Sequence, residues 1–111
     1  MKNHSVLCGA NAYDTKYYFN ERFSNLPAAV QAELKILCVL FTEEVGGIFT
    51  VAFENGGSVI LETASEEDDI YYDEISSGLM VAKVREKKRE LLTSLEHYYH
   101  IFMLGDGDGP S

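Results

Sequence analysis

The sequence predicts a small α+β domain in which helices cover one face of a small antiparallel sheet. Three stretches carry that expectation: an almost wholly apolar helix after Pro27, a hairpin with period-two alternation from Phe49 to Thr63, and apolar residues at helical spacing from Val81 to Phe102.

In chain order, Met1 to Asn11 reads as a leader or an added strand. Tyr13 to Phe23 sets Tyr13, Tyr17, Tyr18, Phe19 and Phe23 among charged residues. Tyr13, Tyr17 and Asn20 share a helical face, and Tyr17 to Phe19 suits a short strand equally well. In either form this arm carries enough apolar area to pack on the rest of the molecule. Pro27, with its fixed φ and missing N–H, suits a helix start. Ala28 to Val45 then runs without a breaker, with Val30, Leu34, Leu37 and Phe41 on one face and Ile36, Val39 and Leu40 widening the apolar surface. Such a helix is expected to be covered on more than one side. Gly46 and Gly47 end it, because glycine accepts the left-handed conformation that follows a helix.

The next segment alternates, Phe49, Val51 and Phe53 against Thr50, Ala52 and Glu54, and the return strand alternates too, Val59, Leu61 and Thr63 against Ile60 and Glu62. A three-residue loop at Asn55, Gly56 and Gly57 sets Phe53 opposite Val59 and Val51 opposite Leu61. A two-residue turn would oppose Phe49 to Glu62, so the longer loop is favoured. Since a lone hairpin is marginal, its edges are expected to be paired by the arm or by a second subunit.

Ser65 followed by Glu66, Glu67, Asp68 and Asp69 has the form of a capped helix start, with Ile70, Tyr71, Ile75 and Leu79 as a buried stripe. Ser76, Ser77 and Gly78 allow either a kink or an unbroken helix. A final helix follows from Val81, Val84, Lys88, Leu91, Leu95, Tyr98 and Phe102, with Leu92, Tyr99 and Met103 as a second stripe. That helix suits packing on the chain's own sheet or pairing across a dimer.

A chain of 111 residues suits one domain, set here at 1–104, with an apolar-free tail at 105–111 expected to be disordered. The net charge of −9 argues against non-specific affinity for nucleic acid or anionic membrane. Two cysteines make no disulfide framework, and Cys38 reads as a small core residue. No segment approaches the ~20 apolar residues of a membrane span, and Val6 to Cys8 is too short for a signal sequence, so a cytoplasmic location is expected.

The strings Leu7-Cys8-Gly9-Ala10-Asn11, Lys16-Tyr17-Tyr18-Phe19-Asn20, Leu26-Pro27 and Leu37 to Gly47 resemble a family of small uncharacterised proteins from clostridia and related gut Firmicutes. The similarity covers residues 7 to about 104. It implies a bacterial cytoplasmic setting and brings no catalytic residues with it. In element order, helix, hairpin and helix also resemble the first half of roadblock-type dimerisation domains, whose second set of strands is missing here.

Few residues point to chemistry. His97 and His100 lie three apart beside Glu96, a spacing that can aim two imidazoles at one metal, but one helical turn offers too few ligands, and no spacing selects His4 or Cys8 as partners. Asp106-Gly107-Asp108-Gly109 resembles the opening of a calcium loop without its later glutamate. There is no phosphate loop, nucleophile elbow or dinucleotide fingerprint. Adjacent carboxylates such as Glu43 and Glu44, or Asp73 and Glu74, diverge on a helix and read as a solvated rim. Lys83, Arg85, Lys87, Lys88 and Arg89 hold five of the nine cations and face an acidic run from Glu66 to Glu74. Mutual attraction of these runs, within one subunit or between antiparallel subunits, is the simpler reading than contact with nucleic acid. The doublets Tyr17-Tyr18, Tyr71-Tyr72 and Tyr98-Tyr99 suit a core with rims or an aromatic interface.

The sequence therefore points to a non-catalytic, homodimeric protein-interaction module, with Val84, Leu91, Leu95, Tyr98 and Phe102 at the interface and no catalytic, cofactor or metal residues. The alternatives are a nucleic-acid-associated factor using 83–89 and a small enzyme with an unrecognised cleft.

Overall fold

The structure, a computed structural model, describes residues 4–105. The elements run β1 (His4–Asn11), β2 (Lys16–Phe19), a 3-10 turn at Glu21–Phe23, α1 (Ala28–Val45), β3 (Ile48–Glu54), β4 (Val59–Ala64), α2 (Glu74–Lys87) and α3 (Arg89–Phe102). One antiparallel four-stranded sheet has the order β2-β1-β3-β4, so the α+β reading stands. The sheet is larger than the expected hairpin because the N-terminal arm is a strand pair. Of its two candidate conformations, the strand is the one adopted at Tyr17 to Phe19. β1 pairs with β3, and β2 then pairs with β1, which puts β1 inside the sheet. Leu7 is the extra residue of a bulge between Val6 and Cys8, and Leu7 and Cys8 are both fully buried.

The hairpin has the longer loop. Phe53 faces Val59 and Val51 faces Leu61. The Glu54 N–H donates to the Ser58 carbonyl, and Gly57 takes the positive φ that the three-residue loop requires. Above the sheet, Phe41 of α1 stacks on Phe49 with ring centroids 4.0 Å apart, and Tyr99 of α3 packs on Phe53 at 4.5 Å. Phe23 fills the space between Phe53 and Tyr98. Burial of these rings and of Leu7, Leu34, Leu37, Leu91, Leu92 and Leu95 makes one hydrophobic core.

Three expectations are corrected. The helix does not start at Ser65: residues 65–73 are irregular, and α2 begins after Asp73, whose carboxylate accepts the Ile75 and Ser76 N–H groups and the Ser76 hydroxyl. Ile70, Tyr71, Ile75 and Leu79 are not a buried stripe but stand 83%, 89%, 76% and 68% exposed, because α2 turns Ser77 and Val84 inward instead. The last helical stretch is two helices, broken at Lys88 (φ −108°, ψ 26°). Lys88 is the one polar residue of the expected stripe, and its ammonium reaches Glu33 of α1 at 3.2 Å. As expected, α1 is covered on more than one side, by the sheet and by α2, while Ile36 and Leu40 remain 58% and 57% exposed. α2 itself passes Gly78 without a break. The expected disorder of 105–111 and the calcium-like string 106–109 concern residues outside those described, Gly105 excepted.

Candidate functional site

Apolar surface is the feature of this molecule with the most to explain. The described segment between β4 and α3 carries Ile70, Tyr71, Ile75 and Leu79 toward solvent, and α1 carries Ile36 and Leu40. On α2, Ser77, Met80, Val81 and Val84 define the inward side, and at 3.6 residues per turn Ile75, Leu79 and Ala82 fall on the opposite one. The two exposed surfaces are therefore distinct. Ile36 and Leu40 line a groove of about 490 Å³ that Met80, Val84 and the Lys88 stem close from the α2 side.

The loop that presents Ile70 and Tyr71 is held at both ends. The Tyr13 hydroxyl donates to Asp69 and accepts the Glu66 N–H. Chiefly through that Asp69 carboxylate, the Tyr13 phenol is held above its ordinary pKa. At the other end the Tyr72 hydroxyl contacts Ser77 Oγ at 2.6 Å, and its ring lies on Gly47. Gly47 has φ +72°, and a Cβ there would come within 2.6 Å of both the Tyr72 ring and the Ala64 carbonyl. The second glycine of the helix stop is thus a seat for the loop as well as a terminator.

Of the expected interface residues, Val84, Leu91, Leu95 and Tyr98 are buried in the chain's own core. Phe102 is 62% exposed and lies against Tyr98. The basic run is partly engaged: Arg85 donates to the Val59 carbonyl at 3.1 Å, and Lys88 pairs with Glu33. Lys83, Lys87 and Arg89 are exposed. Glu96 accepts the Val59 N–H at 2.8 Å, so the carboxylate beside His97 caps the open edge of β4. His97 is exposed, while His100 sits over Gly57. Among the described residues, no three His, Cys, Asp or Glu side chains are grouped to hold a metal ion. Two tyrosine doublets split between surface and interior, Tyr18 and Tyr71 outward with Tyr17 and Tyr72 partly covered, whereas Tyr98 and Tyr99 are both core.

The two cysteines form the grouping that separate reading of each had missed. Cys8 of β1 and Cys38 of α1 are free thiols, both fully buried, with their sulfurs 3.7 Å apart. Hydrogen bonding from Cys38 pulls the Cys8 thiol below its ordinary pKa, and the same contact pushes Cys38 up. The Tyr17 hydroxyl is buried against Cys8 and is raised chiefly by that burial. A cavity of about 610 Å³ opens beside it, lined by Ala10, Tyr17, Lys35, Val39 and Thr42 among others. Cys38 reads from the sequence as core, whereas the burial of Cys8 and the contact between the two depend on β1 being an inner strand.

Set against known proteins, residues 4–107 match the model of DUF6145, a family of unknown function. The chain belongs to the DUF6145 family. No curated protein and no solved structure matches it. The small family expected from Leu7 to Gly47 is thereby matched in its lack of an assigned function, and DUF6145 membership brings no site residues to this chain. Among the described residues, no helix is long and apolar enough to cross a membrane.

Proposed function

We propose that this DUF6145 chain is a non-catalytic, homodimeric interaction module of the bacterial cytoplasm, and that its subunits meet through the outer face of α2. One observation carries the reading: Ile70, Tyr71, Ile75 and Leu79 are exposed together on a tethered loop and the helix it leads into. Large apolar groups held in place toward water are costly unless a partner covers them. Charge selects a second copy as that partner. Glu66, Glu67, Asp68, Asp69, Asp73 and Glu74 precede or open α2, Ile75 and Leu79 follow, and Lys83 and Lys87 flank Glu86 at its far end, with Arg89 opening α3 beyond. Two such helices laid antiparallel about a twofold axis near Leu79 match acidic end to basic end twice over and bury the apolar centre, which is the self-complementarity an isologous interface needs. The inward Val84, Leu91, Leu95 and Tyr98 serve the subunit's own core, which moves the interface expected from the heptad pattern to the opposite side of α2.

Light scattering after size exclusion tests the reading across a micromolar concentration series. The wild type is expected to run as a dimer, and Leu79→Glu as a monomer with unchanged circular dichroism. Glu74→Lys should weaken the dimer by about tenfold, and adding Lys83→Glu should restore it. A wild-type monomer throughout the series, or a dimer that ignores Leu79→Glu, would overturn the proposal.

A further inference from the structure

The Cys8–Cys38 pair carries an inference that does not depend on oligomeric state. We infer that this buried dithiol is a modification site for small hydroperoxides, closing to an intramolecular disulfide that ties the central strand β1 to helix α1. The geometry is the first reason. The sulfurs are already in contact at 3.7 Å, and a disulfide requires about 2.05 Å, a closure shared between two side chains on different elements. Nothing else in the core has to pass between them.

The second reason is the setting. Cys8 and Ala10 point to the same side of β1, and Ala10 pairs with Tyr17 in β2. Thr42 follows Cys38 by one helical turn and donates its hydroxyl to the Cys38 carbonyl. Ala10, Tyr17 and Thr42 all line the 610 Å³ cavity, so its wall lies one residue step from each thiol. Tyr17 stands at that wall with its buried hydroxyl against Cys8. The Tyr17 hydroxyl, buried against Cys8, is placed to donate to the oxygen of a peroxide that reaches that thiol. Chains, by contrast, are too large for this wall, and both thiols are inaccessible to a second protein's disulfide.

The roles follow from the hydrogen bond between the thiols. Cys8, the thiol held below its ordinary pKa where it lies against Cys38 and the Tyr17 hydroxyl, attacks as thiolate one peroxide oxygen of ROOH. The O–O bond breaks, an S–O bond forms, and the departing RO⁻ takes the proton that left Cys8, giving Cys8 sulfenic acid and ROH. The Cys38 sulfur then attacks the Cys8 sulfur. An S–S bond forms, the S–O bond breaks, and the hydroxide leaves with the Cys38 proton as water. Two thiols are oxidised, one hydroperoxide is reduced, and the products are one disulfide, ROH and water. Reversal needs an external dithiol, which exchanges in two steps once local opening exposes the bond.

The test treats the full chain with hydrogen peroxide under native conditions and maps it without reduction. The expected product is a single chain, not cross-linked to another and lighter by two hydrogens, with the peptide carrying Cys8 joined to that carrying Cys38, a thermal midpoint raised by several degrees, and full reversal by dithiothreitol. Tyr17→Phe, which keeps the ring and removes the hydroxyl, is expected to slow closure by about tenfold with little change in midpoint, a split that a purely structural tyrosine would not give. In Cys38→Ser, which keeps a hydrogen-bonding group beside Cys8 and removes the second sulfur, Cys8 should accumulate as sulfenic acid that dimedone captures. Thiols that react only after denaturation, peroxide products confined to sulfinic or sulfonic acid, or linkage only between chains would each overturn the inference.

Discussion

The sheet with α1 and the segment 65–87 both carry large apolar residues and use them in opposite ways. In the first, Leu7, Cys8, Leu34, Cys38, Phe49, Val51 and Phe53 are completely covered by the chain itself. In the second, only Ser77 and Val84 are buried, while the largest apolar side chains face water. The difference lies in what anchors each region. The sheet core is held by packing of rings and branched side chains, whereas the 65–73 loop is held by two tyrosine hydroxyls and a helix cap, contacts that fix a shape without consuming apolar surface. A region anchored that way keeps its hydrophobic groups available.

Substitutions should separate the two regions sharply. Phe53→Ala is expected to cost about 3–5 kcal/mol, because it empties a site touched by Phe23 and Tyr99, and chemical denaturation should show it. Leu79→Ala should leave the subunit's stability within about 0.5 kcal/mol in the same experiment. Equal losses at the two positions would erase the distinction. Gly47→Ala joins the regions and should cost about 1–3 kcal/mol, since it combines an unfavourable φ with a clash against the Tyr72 ring and the Ala64 carbonyl.

Smaller effects belong to the loop alone. Tyr13→Phe removes the hydroxyl that holds Asp69 and Glu66, and hydrogen exchange should speed up across 65–73 while the β1 and β3 amides keep their protection. The smallest effect is one of pH. Asp73 is held below its ordinary pKa by the Ser76 hydroxyl first, then by the Ser76 and Ile75 N–H groups. A depressed carboxylate stabilises the fold above the unfolded value of about 3.9 and loses that contribution as pH falls through its lower folded value. Helicity of α2 should therefore decline below about pH 4 in the wild type and less steeply in Asp73→Asn, which caps without a charge.

These contrasts also explain what the sequence disclosed. Helix α1, the glycine stop and the hairpin register were legible from Pro27, Gly46, Gly47 and the 55–57 loop, since periodicity and turn chemistry act locally. The β1–β2 arm was readable only as a choice, because Gly9, Ala10 and Asn11 give no alternation and β1 becomes a strand by pairing with β3, far along the chain. Ser65 with its acidic run looked like a cap, yet the Tyr13 hydroxyl takes the Glu66 N–H that a helix would have left open, and Asp73 supplies the working cap instead. The exposed apolar face was hidden for the same reason. Ile70, Tyr71, Ile75 and Leu79 fit a buried stripe if the helix begins at Ser65, and with α2 starting at Glu74 the inward positions pass to Ser77 and Val84. As for the dithiol, no spacing rule relates residues 8 and 38.

The capping of Val59 bears on how large an assembly can become. Growth of a sheet from molecule to molecule requires each incoming strand to find vacant donors and acceptors along the last one, and here the first outward pair of β4 is occupied by Glu96 and Arg85. A newcomer would have to displace two charged groups before making its first bond. At Val59, therefore, the edge of β4 resists the strand addition by which fibrils grow.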